Sequence, residues 1–326
     1  MLYLVTQPDN EFSYQKMQNN SLRQYLKYYK ISFREICLES TDCITNDTKN
    51  KIALSYSTPK DTWFITYAQY PVIDLISTKP GRKFAHIHGI EAFLYNPAVP
   101  LKYPQYQDTK LRMYDGIFVN SVWSHSLITQ SYPDIAHKTY ISGFPINPRY
   151  FDPYRNITKI ENLVIFNQRF SYKKLNILEA YLTDKLIGAG YRVMHLCSRY
   201  SYQELQNNIE LQNMMNEYIK RGLELTVSST EKDYYEKLAH GSILITTAIW
   251  DTLSIETLEA IELGLIPIAP DTGPFKEYLH PDNLYRPYNV DDILSKVYAR
   301  PVRPSNINKY YVNNVIKIYF EKMGLK

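Results

Sequence analysis

Short runs rich in Val, Ile, Phe, Tyr and Thr alternate with helical stretches along almost the whole chain, and this alternation is its strongest constraint. In the first half the runs are LYLVT, DTWFITYAQY, KFAHIHG, GIFVNS and KTYISGF, with SLRQYLKYYK and SVWSHSLITQSY helical between them. The second half repeats the pattern. NLVIFNQ precedes the helical KKLNILEAYLTDKLIGAG, which stops at Gly188 and Gly190. RVMHLCS precedes SYQELQNNIELQNMMNEYIKRG, which reads as one long helix ending at Gly222. LELTV, EKDYYEKLAHG, SILITTA, IETLEAIELG and IPIAP continue it. Strand and helix in such repetition predict an α/β chain, with parallel sheets covered by helices on both faces.

The alternation is interrupted once, over ISGFPINPRYFDPYRNITK, where Pro145, Pro148 and Pro153 break any regular element. A length of 326 residues accommodates two domains. We therefore expect two doubly wound, Rossmann-like domains facing a cleft: an N-terminal domain over 1–150 and a C-terminal one over 151–304. The segment 305–326 has apolar residues at helical spacing, and is expected to form a last helix packing back toward the first domain. Ligands in such pairs bind at the carboxyl ends of the strands.

Hydrophobic residues make up 44% of the chain, enough for a core. Its 3 cysteines (Cys37, Cys43, Cys197) form no CxxC pair, which argues against a disulfide framework or a cysteine zinc site. No apolar run approaches a membrane span, and MLYLVTQ lacks the charge pattern of a signal peptide, so a cytoplasmic location is expected. The net charge of +4 is uneven. Residues 1–150 carry 16 Lys and Arg against 12 Asp and Glu, and Lys79 to Arg112 alone carry 6 against 2. That stretch is either a solvated loop region or an attractor of an anionic acceptor or phosphate.

Two places can carry chemistry. NLVIFNQ is followed by Arg169 and, five residues on, Lys174. A strand entering a helix there would direct backbone N–H groups and two cations at a diphosphate. The other place is WDTLSIETLEAIELGLIPIAPDTGPF. Asp251 lies at a strand end and Glu259 two turns on, roughly on one face with Asp251, where carboxylates can accept bonds from sugar or ribose hydroxyls. His195 and His240 read as structural histidines. His86 and His88 would point the same way on a strand, which leaves a metal pair open. GxSxG, Walker A and HExxH motifs are absent.

In their order these features resemble the retaining GT-B glycosyltransferases related to glycogen synthases and phosphatidylinositol mannosyltransferases. FNQRFSYKK resembles the family's Gly-Arg…Lys element, with Gln168 where glycine is common. DTLSIETLEAIELGLIP resembles its Glu-x7-Glu element, with Asp251 for the first Glu and Glu259 for the second, then Ala260, Gly264 and Pro267. HIHGIE, GIFVNSVWSHSLI and ISGFPINPRYFDP resemble its elements in the first half, so the resemblance covers about residues 80–280.

The resemblance implies roles. Arg169 and Lys174 would hold the donor diphosphate and stabilise the leaving group, and Glu259 would hold the ribose. Asp251 with the N–H groups of Thr252, Leu253 and Ser254 would contact the donor sugar. His88 would sit beside sugar and acceptor, and Val227 would flank the base. The implied reaction is transfer, with retention, from a UDP- or GDP-linked sugar to an acceptor hydroxyl, without cofactor or metal. Two departures stand out. Asp251 is one methylene short, and YLVTQPDNEFSYQK lacks the family's glycine-rich loop.

The acceptor is open between a glycan, a small molecule and DNA. Phage enzymes that glycosylate hydroxymethylated DNA bases share the GT-B fold, and a phage origin would place the chain in the host cytoplasm. Arg82, Lys83 and His86 are the acceptor-side candidates. The aromatics Phe84, Phe93, Tyr95, Tyr103, Tyr106 and Tyr114 would serve exposed bases. Two alternatives are a non-catalytic nucleotide- or sugar-binding scaffold and a phosphosugar epimerase, although the usual His and Glu elements of the latter are not evident.

Overall fold

The computed structural model describes residues 1–6, 14–38, 46–66, 70–88, 109–170, 174, 176–303 and 305–325. The chain divides into two compact units, Met1–Asn147 with Asn308–Lys326, and Pro148–Ile307.

The first unit is a parallel sheet of β1 (Leu2–Thr6), β2 (Phe33–Cys37), β3 (Thr62–Ile65), β4 (Arg82–Ile87), β5 (Gly116–Val119) and β6 (Thr139–Ile141), in the order β2-β1-β3-β4-β5-β6. Successive strand residues point to opposite faces. Leu2, Leu4, Phe64, Phe84 and Phe118 therefore enter one core, with Leu22 and Leu26 of the helix Tyr14–Tyr28. Tyr3, Val5, Trp63, Ile65, Ala85 and Ile87 enter the other, with Ile52, Val72, Ile73 and Ile128. Both faces are covered, so the inner strands are continuous apolar runs. The edge strand FREIC instead exposes Arg34 and Glu35.

The segment beyond Ile307 returns to this unit. In the helix Val312–Met323, Val315, Ile316, Tyr319, Phe320 and Met323 recur at helical spacing and are buried in the first core. The entry is fixed by two backbone bonds, Ile146 N to Tyr310 O and Val312 N to Ile146 O, each 2.8 Å. Gly143 is needed at this join. Its φ is +79°, and a Cβ there would stand 2.8 Å from the Tyr310 ring.

The second unit holds β7 (Leu163–Phe166), β8 (Arg192–Ser198), β9 (Glu224–Ser228), β10 (Ile243–Ile245), β11 (Ile266–Pro270) and β12 (Leu284–Tyr285), parallel and ordered β12-β11-β10-β7-β8-β9. Counted within the unit this is 3-2-1-4-5-6 from the opposite edge. The strand order reverses between β7 and β10, and the crevice beyond their carboxyl ends is where such sheets bind ligands.

One expected element differs. The long helix after β8 is two helices, Arg199–Gln206 and Ile209–Lys220. Asn208 is extended (φ −124°), and its side chain accepts a 3.1 Å bond from Leu211 N, capping the second helix. Local side-chain bonding of this kind competes with helix continuation.

Candidate functional site

At the reversal point β7 runs into Asn167, Gln168 and Arg169, and β10 runs into Thr246 and Thr247. Gln168 joins the two strand ends. Its Oε1 accepts from Thr246 Oγ1 at 3.0 Å, and its Nε2 donates to Thr247 Oγ1 at 2.5 Å. Lys174 is buried beside them. Its Nζ lies 2.7 Å from Asp251 Oδ2 and 3.6 Å from Glu256 Oε1. Burial works against the ammonium, but the two carboxylates outweigh it and hold the lysine pKa above its usual value. Arg169 is exposed at the end of β7, near enough for its charge to oppose that of Lys174. The structure thus brings Arg169, Lys174 and Asp251 together, and adds Glu256.

Asp251 precedes the helix Ile255–Glu262 rather than sharing a helical face with Glu259, which corrects that expectation. The aspartate turns back on its own chain, with Oδ1 accepting from Thr252 N at 2.9 Å and Leu253 N at 3.4 Å. Two of the three N–H groups expected to meet a sugar are therefore directed at Asp251 itself. Ser254 is buried, and its Oγ lies 2.9 Å from Thr257 Oγ1 and 3.3 Å from Glu256 Oε2. The helix ends as the sequence suggests. Gly264 adopts φ +78°, Leu265 N bonds Ala260 O at 2.9 Å, and Lys159 Nζ caps Leu263 O at 2.6 Å.

Glu259 lies within that helix and is 9% exposed. Tyr235 donates to its Oε1 at 2.9 Å and Tyr234 to its Oε2 at 3.4 Å. Burial pushes the carboxyl up to about 8, against the hydrogen bond from Tyr235. Asn167 Nδ2 donates to Tyr234 Oη at 3.1 Å, so a polar chain runs from the end of β7 to Glu259. Val227 lies in β9, two strands from β7, packed partly against the core, with its carbonyl accepting from Lys237 Nζ at 3.3 Å.

The histidine pair belongs to the first unit. His88 follows β4, and its Nε2 donates to Thr66 O at 3.1 Å past the end of β3, a tautomer assigned from that carbonyl partner. Burial draws its pKa down to about 4, so the ring is neutral at pH 7. His86 is corrected as an acceptor-side residue. It is fully buried, with Nε2 2.8 Å from Asn120 Oδ1, and with Nδ1 2.7 Å from Gln18 Nε2 and 2.6 Å from Tyr319 Oη. Both His86 ring nitrogens are engaged within the unit. Among the described residues no group of three or more His, Cys, Asp or Glu is gathered as a metal site.

Arg82 and Lys83 stand at the other end of the same strand. They begin β4 while His88 follows its end, a separation of about 20 Å at roughly 3.3 Å per strand residue. Arg82 Nη2 caps Met323 O at the end of the last helix, and its guanidinium lies 5.6 Å from the Phe84 ring centroid. Lys83 Nζ bonds Gly81 O at 2.7 Å. Lys79 Nζ reaches Ala53 O and Ser55 O, Lys110 pairs with Asp74, and Arg112 pairs with Asp134. Phe84 and Tyr114 are buried, and Phe93, Tyr95, Tyr103 and Tyr106 lie outside the described residues. Lys79, Arg82, Lys83, Lys110 and Arg112 each make at least one contact within their own unit, and Lys102 lies outside the described residues. Arg82→Ala is accordingly expected to cost about 1–3 kcal/mol, a hydrogen bond from a charged group, and to leave nucleotide binding unchanged. Unchanged melting in that variant would show the contact to be idle.

Sequence reasoning missed Glu256, Tyr234, Tyr235, Thr246 and Thr247. Glu256 and the tyrosines sit among charged helix residues with nothing to single them out. The paired threonines closing SILITTA were the one available signal, since hydroxyls just past a buried strand need partners.

No protein-family model matches the chain, and no curated protein matches it. Among solved structures, a glycosyltransferase from Rickettsia africae is similar with a TM-score of 0.72 at 13% identity, over 100% of this chain and 99% of that one. An α,α-trehalose 6-phosphate synthase from Burkholderia multivorans gives 0.70 at 8% identity, over 99% and 98%. Anabaena HepE, solved with UDP and glucose, gives 0.64 at 10% identity, over 99% and 95%. Among the described residues no helix is long and apolar enough to cross a membrane. With two parallel six-stranded sheets and likeness over the full length of these enzymes, the chain has the GT-B fold.

Proposed function

We propose that this chain is a glycosyltransferase that moves a sugar from a nucleotide-diphosphate sugar, UDP-linked in the first instance, to an acceptor hydroxyl with retention of configuration. The observation that carries the reading is the buried Lys174 held between Asp251 and Glu256 at the strand reversal, with Arg169 exposed beside it. HepE, of the same fold, was solved with UDP and glucose, which supports UDP as the first donor to try.

In this reading the bond from the anomeric carbon to the phosphate oxygen breaks, and its electron pair stays on the diphosphate. Arg169 and Lys174 stabilise that charge where it develops, in a site partly withdrawn from water. Asp251 and Glu259 accept bonds from donor hydroxyls. The acceptor oxygen attacks the face that the diphosphate leaves, and its proton passes to the departing phosphate oxygen. Positive charge comes from the two side chains, and no metal is invoked.

A melting screen with UDP, GDP and their sugars tests the reading. A ligand at a hundred times its dissociation constant adds about 2.7 kcal/mol and raises the midpoint by several degrees. NMR of the product then follows the anomeric configuration. If no nucleotide shifts the melting, the donor assignment fails. Binding without turnover indicates a scaffold, and an inverted product removes retention.

A further inference from the structure

Beneath the phosphate-side groups lies a second layer of polar side chains that the proposed chemistry does not use. Gln168, Glu179, His195, Thr246 and Thr247 are all buried. The Gln168 amide cannot be flipped. Its Oε1 accepts from Thr246 Oγ1, and a reversed amide would face its carbonyl oxygen to the Glu179 carboxylate. Its Nε2 has two hydrogens. One goes to Glu179 Oε1 and one to Thr247 Oγ1. Thr247 passes the bond on, because its hydroxyl donates to the backbone carbonyl of Lys174. Gln168 Nε2 is itself 3.2 Å from that carbonyl.

The other end of the layer lies against Phe170. Glu179 Oε2 lies 2.9 Å from His195 Nδ1, and the His195 ring stacks on Phe170 at 4.3 Å and 17°. Phe170 N donates to Ser201 Oγ at 3.3 Å. His195 Nε2 is buried without a partner, so the relay ends there. The Phe170 ring thus packs on this buried network, and the Lys174 carbonyl is bonded into it.

We infer that Gln168 and Thr247 are positioning residues, which fix the Lys174 backbone and so fix where its ammonium stands when a ligand draws it from Asp251 and Glu256. The significance for catalysis rests on the reading of Lys174 as the donor-phosphate cation; the anchoring does not. A lysine has four rotatable side-chain bonds, and its ammonium is placed only if its backbone is placed. Glycine, common at position 168 in the resembling family, could make none of these bonds.

The test replaces Thr247 by valine, of the same shape without the hydroxyl, and by serine, which keeps it. Two properties are read in the full chain. One is the rate at which an N-hydroxysuccinimide ester acylates Lys174 at pH 8, followed by peptide mass spectrometry. The other is the dissociation constant of UDP by calorimetry. Thr247→Val is expected to speed acylation and weaken UDP about tenfold each, the size of one lost hydrogen bond. Thr247→Ser stays within about twofold of the parent. Gln168→Met is read the same way where Thr247→Val does not fold. Parental values in a folded Thr247→Val overturn the inference, and so does unfolding of both Thr247→Val and Gln168→Met, which would make the layer purely structural. A parent chain that ignores UDP while Thr247→Val still exposes Lys174 refutes the donor reading and leaves the positioning intact.

Discussion

Lys174→Met is expected to lower transfer at least about a thousandfold and at the same time to destabilise the second unit. Methionine keeps the length and apolar stem of lysine and removes the charge. Loss of one preorganised charge-stabilising group typically lowers a rate by about 10²–10³. In the proposed reaction Lys174 would also meet the diphosphate where charge develops, and Asp251 loses its Oδ2 partner with it. The stability effect has a separate cause. The lysine side chain is 5% exposed, and its carboxylate partners are 15% and 27% exposed. Removing one member of a buried ion pair leaves the other charge uncompensated, at about 3–5 kcal/mol for full burial. Partial exposure of Asp251 and Glu256 brings this to about 3 kcal/mol.

The two effects separate in a cycle. Lys174→Met with Asp251→Asn removes the nearer of the two orphaned charges, and should recover part of the lost stability and none of the transfer. Denaturant unfolding and single-turnover rates measure the two quantities. A Lys174→Met chain that transfers sugar within tenfold of its parent would remove Lys174 from the chemistry.

The fold was legible because its signal is local and repeated. NLVIFNQ, RVMHLCS and IPIAP are largely apolar because a parallel sheet covered on both faces makes little polar demand on them. FREIC was not singled out, because an edge strand exposes charged residues and loses that signature. The Asn207–Asn208 break was hidden inside an unbroken helical periodicity, where one side-chain cap decides the outcome.

The site was legible only as an order of motifs. Arg169, Lys174 and Asp251 gather because two strand ends meet at a reversal of strand order, which their spacing does not encode. The acceptor-side candidates show the opposite limit. A run of cations reads as a charged surface, yet Arg82, Lys83 and Lys79 each place at least one donor on a backbone carbonyl of their own unit. Charge counts along a sequence do not distinguish an ammonium that caps a carbonyl from one that awaits a phosphate.

The two units are expected to respond to pH in opposite directions. In an unfolded chain a histidine takes up its proton near pH 6.5, whereas folded His88 does so only near 4. Between those values the unfolded chain binds more protons, so the first unit loses stability as pH falls, by about 3 kcal/mol in total for His88. His86, fully buried and drawn well below its usual value by burial and by His88, adds to the same loss. Glu259 works the other way. Its unfolded carboxyl titrates near 4.5 and its folded one near 8. Between those values the folded chain holds more protons, so the second unit loses stability as pH rises, by at most about 4–5 kcal/mol. Melting followed from pH 4 to 9 should therefore show the transition of the first unit falling toward acid and that of the second falling toward alkali. His88→Gln should make the acid arm shallower, leaving the share that burial of His86 contributes. Glu259→Gln, which keeps an acceptor for Tyr235 and cannot ionise, should flatten the alkaline arm. Both transitions moving together with pH, or arms unchanged in these variants, would show that neither buried group carries the dependence.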